Sequence, residues 1–210
     1  MIIAIDGPAA AGKGTLAKKL AAEFNLAFLD TGALYRATGL RVIRNDTDLG
    51  DAEAVAAEAR NITLEDRESP ALRDEASGEM ASKVSAIPEV RAALLDYQRN
   101  FANNPPEGFS GAVLDGRDIG TVVCPDADAK IFVTASDEVR AHRRWLELSA
   151  KDSSVEEAVV LAEMQQRDAR DAARAAAPMK AADDAHLLDT SNLAIDAAFD
   201  AAKEYVSNNM

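Results

Sequence analysis

The chain is poor in the side chains that most often carry covalent or metal chemistry: it has one cysteine, two histidines and one tryptophan in 210 residues. The single thiol, Cys124, excludes an intramolecular disulfide and most cysteine-based metal frameworks, and it reads as a small buried or half-buried side chain. His142 and His186 lie far apart with no ligand partners near them in sequence, so each reads as an ordinary surface or core residue. Positive charge is scarce too. With 23 Lys and Arg against 36 Asp and Glu the net charge is −13, which argues against broad electrostatic binding to nucleic acid or anionic lipid. No apolar run approaches the roughly 20 residues that span a bilayer. The first residues carry no basic segment, and Asp6 interrupts Ile2-Ile3-Ala4-Ile5, so no signal peptide is expected and the expected compartment is the cytoplasm.

What is present is a hydrophobic fraction of 48%, enough for the core of one domain, 1–210, with room for a small insert. Short apolar runs at 2–5, 26–29, 112–114, 130–134 and 186–189 read as strands. Helical patterns separate them at 13–24, 33–44, 51–60, 78–102 (broken near Pro88), 137–149, 154–173 and 193–206. Strands alternating with helices predict an α/β fold around a parallel sheet. The polar, weakly periodic stretch 61–77 reads as part of an inserted lobe. No internal repeat is visible. The Ala-rich run before Pro178 reads as a helix and its exit.

The motifs narrow the chemistry. Directly after the first strand comes GPAAAGKGT, from Gly7 through Pro8, Ala9, Ala10, Ala11, Gly12, Lys13 and Gly14 to Thr15. A Gly-rich loop that closes a strand and opens a helix turns backbone N–H groups onto an anion. Lys13 stands where an ammonium reaches β- and γ-phosphates, and Thr15 offers a hydroxyl to Mg²⁺ or a phosphate oxygen. The strict pattern has the hydroxyl residue next to the lysine, and here Gly14 intervenes. In an open parallel sheet ligands gather at the carboxyl ends of the strands. The second strand runs into DTGALYR, where Thr31 is expected to cap the next helix and Tyr35 and Arg36 to line the same crevice. The third runs into LDGRDIGTVV, where Asp115 is placed like a metal-proximal carboxylate beside Arg117 and Asp118. In RDARDAAR, Arg167, Asp171 and Arg174 share a helix face with Arg170 beside them. Such arginines suit a lid that clasps phosphate, since the guanidinium fork is bidentate and always charged. Arg140, Arg143 and Arg144 form a second positive group. For Arg143 and Arg144, contact with a donor base and simple solvation stand side by side. Trp145 is expected to pack its helix onto the sheet.

GPAAAGKGT, DTGALYR, MASKVSAIPEVRAALLDYQRNFA, DGRDIGTVV, HRRWLEL and RDARDAAR, in this order, resemble the bacterial cytidylate kinase family over almost the whole chain, with residues 45–75 matching loosely. The resemblance implies a P-loop NTPase three-layer fold with a five-stranded parallel core, a nucleotide-monophosphate-binding insert including about 61–80, and a lid region at about 150–180. It implies transfer of the γ-phosphoryl of ATP, with Mg²⁺, to CMP or dCMP by a single-domain monomer that engages neither nucleic acid nor membrane. Residues 7–15 would then hold ATP, with Thr15 and Asp115 at the metal. Thr31, where the family more often has Ser, and Tyr35 and Arg36 would lie at the acceptor, with Arg36 on its phosphate. Ser82, Arg91 and Asp118 match cytosine-recognising positions, Arg117 and Arg174 phosphate ligands, Arg167 and Asp171 ribose contacts, and Arg170 the lid. Lys13, Arg117, Arg170 and Arg174 are the expected catalytic set. Two departures stand out: an insert shorter than the family's usual three-stranded lobe, and Ala172 and Ala173 where a more polar lid is common. A P-loop kinase for UMP, AMP or shikimate, or a regulatory P-loop ATPase, are the alternatives.

Overall fold

The computed structural model describes residues 1–209, and of residues 73 and 75 the backbone alone. One all-parallel sheet is built from β1 (Ile2–Asp6), β2 (Ala27–Asp30), β3 (Ala112–Asp115), β4 (Ala129–Thr134) and β5 (His186–Asp189), in the order β2-β3-β1-β4-β5. These are the five apolar runs read as strands, displaced by at most one residue at an end. The helices are α1 (Lys13–Glu23), α2 (Thr31–Arg44), α3 (Ala52–Arg60), α4 (Leu64–Glu68), α5 (Glu75–Val84), α6 (Pro88–Asn103), α7 (Asp137–Ser149), α8 (Glu157–Ala172) and α9 (Ile195–Asn208).

Successive side chains of a strand face opposite sides of a sheet, and here both sides are covered. Ile3 and Ile5 of β1 and Val113 of β3 pack with Leu16 and Leu20 of α1 and Ala202 and Val206 of α9. Ala4, Ala112 and Leu114 face the other way, onto Ala102 of α6 and the residues Ile119, Val123 and Cys124 that follow β3. Apolar residues on both faces are what a parallel sheet between helical layers requires. Full burial of Leu20 alone contributes about 2 kcal/mol of transfer free energy. Because β1 is the central strand, the loop that follows it lies at the middle of the sheet's carboxyl edge.

Local chemistry sets the boundaries the pattern missed. Thr31 is not the cap of α2 but its first residue; Asp30 caps it, accepting from Ala33 N at 3.0 Å, and the Thr31 hydroxyl instead donates to Asp115 O at 2.8 Å. The stretch 61–77 contains α4 and a 3-10 turn (Pro70–Arg73), and among the described residues it contains no strand. A capping box makes so short a helix possible: Asp66 N donates to Thr63 Oγ1 at 3.2 Å while Asp66 accepts from Thr63 N at 3.0 Å. The same buried Asp66 takes Arg41 at 3.1 Å and Arg44 at 3.4 Å, which straps the segment to α2. Next to it α5 lies so close to α2 that a Cβ on Gly39 would stand 3.0 Å from Ala81 N. The break near Pro88 falls between α5 and α6, with the proline in the first turn of α6, where its missing N–H costs nothing.

Trp145 does not pack its helix onto the sheet. It joins Ala141, Val160 and Met164 in a cluster between α7 and α8, and its Nε1 donates to Val155 O at 3.0 Å. His186 stacks on Tyr205 and His142 meets Glu157 at 2.9 Å, in keeping with ordinary structural roles. Cys124 is buried, and loss of solvation pushes its thiol up to about 11.

Gly7, at the start of the phosphate loop, is tightly enclosed: its φ is +141°, and a Cβ there would fall 2.0 Å from Val133 O on β4. Gly7→Ala is therefore expected to destabilise the chain by about 3 kcal/mol or more through strain and overpacking, read as the shift in a urea unfolding midpoint.

Candidate active site

The carboxyl edge of the sheet opens into one cleft of about 1960 Å³. The loop after β1 forms its floor. Gly12, at φ +93°, begins α1 with no side chain capping the helix, so the first N–H groups of α1 stay available to an anion, which is where the helix dipole favours one. Lys13 Nζ donates to Pro8 O at 2.8 Å, and burial lowers its pKa although Asp115 opposes the shift. Asp115, at the end of β3, is raised to about 6 by burial, with Lys13 working against it. Lys13 and Asp115 thus act on one another electrostatically within the cleft.

Of the positions singled out from the sequence, Ala9 to Thr15, Thr31, Tyr35, Arg36, Ser82, Arg91, Asp115, Arg117, Asp118, Arg167, Arg170, Asp171 and Arg174 all line this cleft. Gly7 and Pro8 do not: Gly7 is wedged against β4, and Pro8 meets the cleft only through Lys13. Arg36 is held by Asp30 at 2.6 Å. Arg91 pairs with the buried Asp118, donates to Ser85 O at 3.3 Å, and lies 5.5 Å over the Tyr35 ring. Ser82 lines the same cleft, and its buried hydroxyl has no hydrogen-bond partner.

A second set of charges comes from α8. Asp171 is buried and takes Arg117, Arg174 Nη2 at 2.7 Å and Arg167 Nε at 4.0 Å. Burial lowers the Arg167 pKa to about 10, helped by the nearby Arg117, and burial lowers that of Arg174 although Asp171 opposes it. Arg174 is not on the helical face with Arg167 and Asp171. The helix stops at Ala172; beyond it Arg174 reaches back to Asp171, and Met179 N also returns to donate to Asp171 O at 2.9 Å.

Several residues of the site carried no sequence signal. Asp6 is the largest omission. Its buried carboxylate accepts from Ile119 N at 2.7 Å and Gly120 N at 2.8 Å and is raised to about 7 by burial; its only visible mark was that it broke an apolar run. Thr190 joins three elements, with Oγ1 3.0 Å from Ala11 O and 3.1 Å from Thr134 O, and with Arg143 donating to it at 3.0 Å. Arg144 meets Glu147 at 3.0 Å. Arg140 does not belong to an open positive group: it is buried and neutralised by Asp137 and, at 2.6 Å, by Asp168.

The comparisons with known proteins agree with this geometry. Residues 3–208 match the family model described as cytidylate kinase. A cytidylate kinase of Methylocella silvestris is 59% identical over 202 residues, 96% of this chain and 92% of that one, and one of Rhodospirillum rubrum is 57% identical over 211 residues, 99% and 98%. A solved structure of an uncharacterized protein from Eubacterium ventriosum has the same fold, with a TM-score of 0.57 at 15% identity over 99% of this chain and 98% of that one.

The raised pKa of Asp115 has a sign that can be tested. The folded chain holds a proton on Asp115 that the unfolded chain, with a carboxyl near 3.8, has released, so this residue's contribution to stability falls as pH rises from about 4 to about 6. Asp115→Asn removes that titration. In urea unfolding without ligands, the variant should gain on the wild type between pH 4 and 6.5, and the gap should stay level above pH 7.

Proposed function

The chain belongs to the cytidylate kinase family, whose reaction carries the γ-phosphoryl of ATP to CMP, and from that premise we propose how its own residues serve that transfer. Residues 7–15 cradle the ATP phosphates with backbone N–H groups, and Lys13 leaves Pro8 O to meet the β- and γ-phosphates. The opposite wall binds the acceptor: Arg36 and Arg117 with Arg174 on its phosphate, Arg167 and Asp171 at its ribose, Tyr35 and Thr31 along its edge. Ser82, Arg91 and Asp118 read the base. The observation that carries this reading is that one cleft holds the phosphate loop together with the buried Ser82 hydroxyl without a partner and the Arg91–Asp118 pair.

An Asp118 carboxylate accepts from the N4 amino group of cytosine, whereas uracil presents an oxygen there. Two acceptors face to face leave both unsatisfied, at about 1 to 3 kcal/mol each, which favours CMP over UMP by about tenfold or more. A phosphate oxygen of the acceptor is already a nucleophile, so no strong general base is required. The chain's part is to align acceptor and donor phosphates and to neutralise their charge with Lys13, Arg117, Arg170 and Arg174. Segment 150–180 acts as the lid, excluding water that would otherwise take the phosphoryl group. The insert around 61–80 carries the acceptor side. dCMP is accepted as well as CMP.

The donor set also fits Mg²⁺. Thr15 and Asp115 are hard oxygen ligands, and among the described residues no cluster of three or more His, Cys, Asp or Glu forms a metal cage, as suits an ion shared with phosphates. Mg²⁺ held by Thr15 and Asp115 would supply charge neutralisation between β- and γ-phosphates. Among the described residues no helix is long and apolar enough to cross a membrane. A cytoplasmic monomer that acts on free nucleotides and engages no nucleic acid is part of the same proposal.

The test is ADP formation from ATP and Mg²⁺ with CMP, dCMP, UMP, AMP, shikimate or no acceptor. Turnover is expected with CMP and dCMP and little with the rest; acceptor-independent turnover would overturn the reading. Lys13→Ala should lower kcat by about 10² or more. Asp118→Asn should cut the CMP-over-UMP preference by about tenfold, with an unchanged ratio removing Asp118 from base recognition.

A further inference from the structure

Buried Arg140 and half-buried Asp168 are charges that the transfer itself does not use, and both touch the machinery that does. Arg140 is 3% exposed. It spends its N–H groups on four partners: Nε on Ala135 O at 3.1 Å, Nη1 on Ala9 O at 3.3 Å and on Asp168 at 2.6 Å, and Nη2 on Asp137. The guanidinium therefore bridges α7, the lid helix α8 and the phosphate loop.

The carbonyl it holds is a particular one. The next residue, Ala10, sits at φ +57°, one of the few non-glycine residues of the chain in the left-handed region. Such a conformation persists for an L-residue with a Cβ only when its surroundings enforce it. In a trans peptide the N–H points opposite to the C=O, so a bond from Arg140 to Ala9 O also turns the Ala10 N–H away from Arg140. Packing supports the same peptide: Ala9 and Ala10 rest on the Ala141, Val160 and Met164 cluster between α7 and α8.

We propose that Arg140, oriented by Asp168, is a positioning residue that holds the strained 9–10 peptide of the phosphate loop so that the Ala10 N–H serves the ATP phosphates, tying donor affinity to the lid helix. Asp168 suits this role on both sides. One oxygen takes Arg140; the other is buried without a hydrogen bond, 3.6 Å from Arg117 Nη1. The lid carboxylate thus stands between the donor loop and an arginine of the acceptor wall.

The inference rests on the reading of the loop as the ATP site, and its principal readout needs no acceptor. ATP binding is measured by calorimetry on wild type, Asp168→Asn, Arg140→Lys, and Asp168→Asn combined with Ala10→Gly. Asp168→Asn should weaken ATP binding by about tenfold while the KM for CMP stays within about threefold. A glycine adopts φ > 0 without strain, so Ala10→Gly should restore most of the loss. A general structural role would weaken both substrates together and would not respond to glycine at residue 10. Should Asp168→Asn fail to fold, Arg140→Lys, which keeps the charge but loses the fork, carries the same test with the same expected split. ATP affinity unchanged in these variants, or equal losses for ATP and CMP, or no recovery with glycine, overturns the proposal. Wild-type protein that binds ATP and does not phosphorylate CMP would instead overturn the acceptor assignment and leave the 9–10 peptide test standing.

Discussion

The site depends on one buried carboxylate. Asp6 ends the central strand, stands one residue before the phosphate loop, and accepts the N–H groups of Ile119 and Gly120. The loop so anchored carries Arg117 and Asp118, one reaching Asp171 and the other Arg91. Donor floor and acceptor wall are thereby referred to a single strand end. Burying a carboxylate is costly, and its pKa near 7 records that cost; two short N–H bonds offset part of it. Residues Ile119–Val123 form a π-helical turn right after these bonds, a local geometry that recurs at functional sites.

Around this anchor the arginines of the cleft are held in advance. Arg36 rests on Asp30, Arg91 on Asp118, and Arg117 and Arg174 on Asp171. A chain of net charge −13 can thus present a concentrated positive surface without leaving any of these four guanidinium groups as an unpaired buried charge. In the proposed reading an entering phosphate would exchange with a carboxylate already in place, so that each guanidinium is oriented before the ligand arrives.

Much of this was legible in the residues. The five strands are local apolar runs bounded by turns, and the phosphate loop declares itself because glycine, lysine and hydroxyl are needed at set spacings. What escaped was decided by contacts between distant segments. Asp30, not Thr31, caps α2, since the Thr31 hydroxyl is drawn to Asp115 O on a neighbouring strand. Arg140 read as part of a positive group with Arg143 and Arg144, and only the approach of α8 shows its charge to be taken up by Asp168. Trp145 turned toward α8 for the same reason. Asp6 and Thr190 gave no pattern, because their partners lie far away in sequence: 113 and 114 residues for Asp6, and 179, 56 and 47 for Thr190. The helical insert was hidden by composition: a five-residue helix has too few turns to show a period, and only its capping box marks it.

The chain's one thiol lies under the sheet among Ala102, Leu114 and Val123, with its ionisation held near 11. Peroxides and electrophiles attack the thiolate and require access to it, and Cys124 offers neither at neutral pH. Thiol oxidation is therefore closed as a route to this protein, and what oxidants can still reach is thioether: Met164 lines the cleft and Met179 Sδ lies 3.4 Å from Arg117 Nη1.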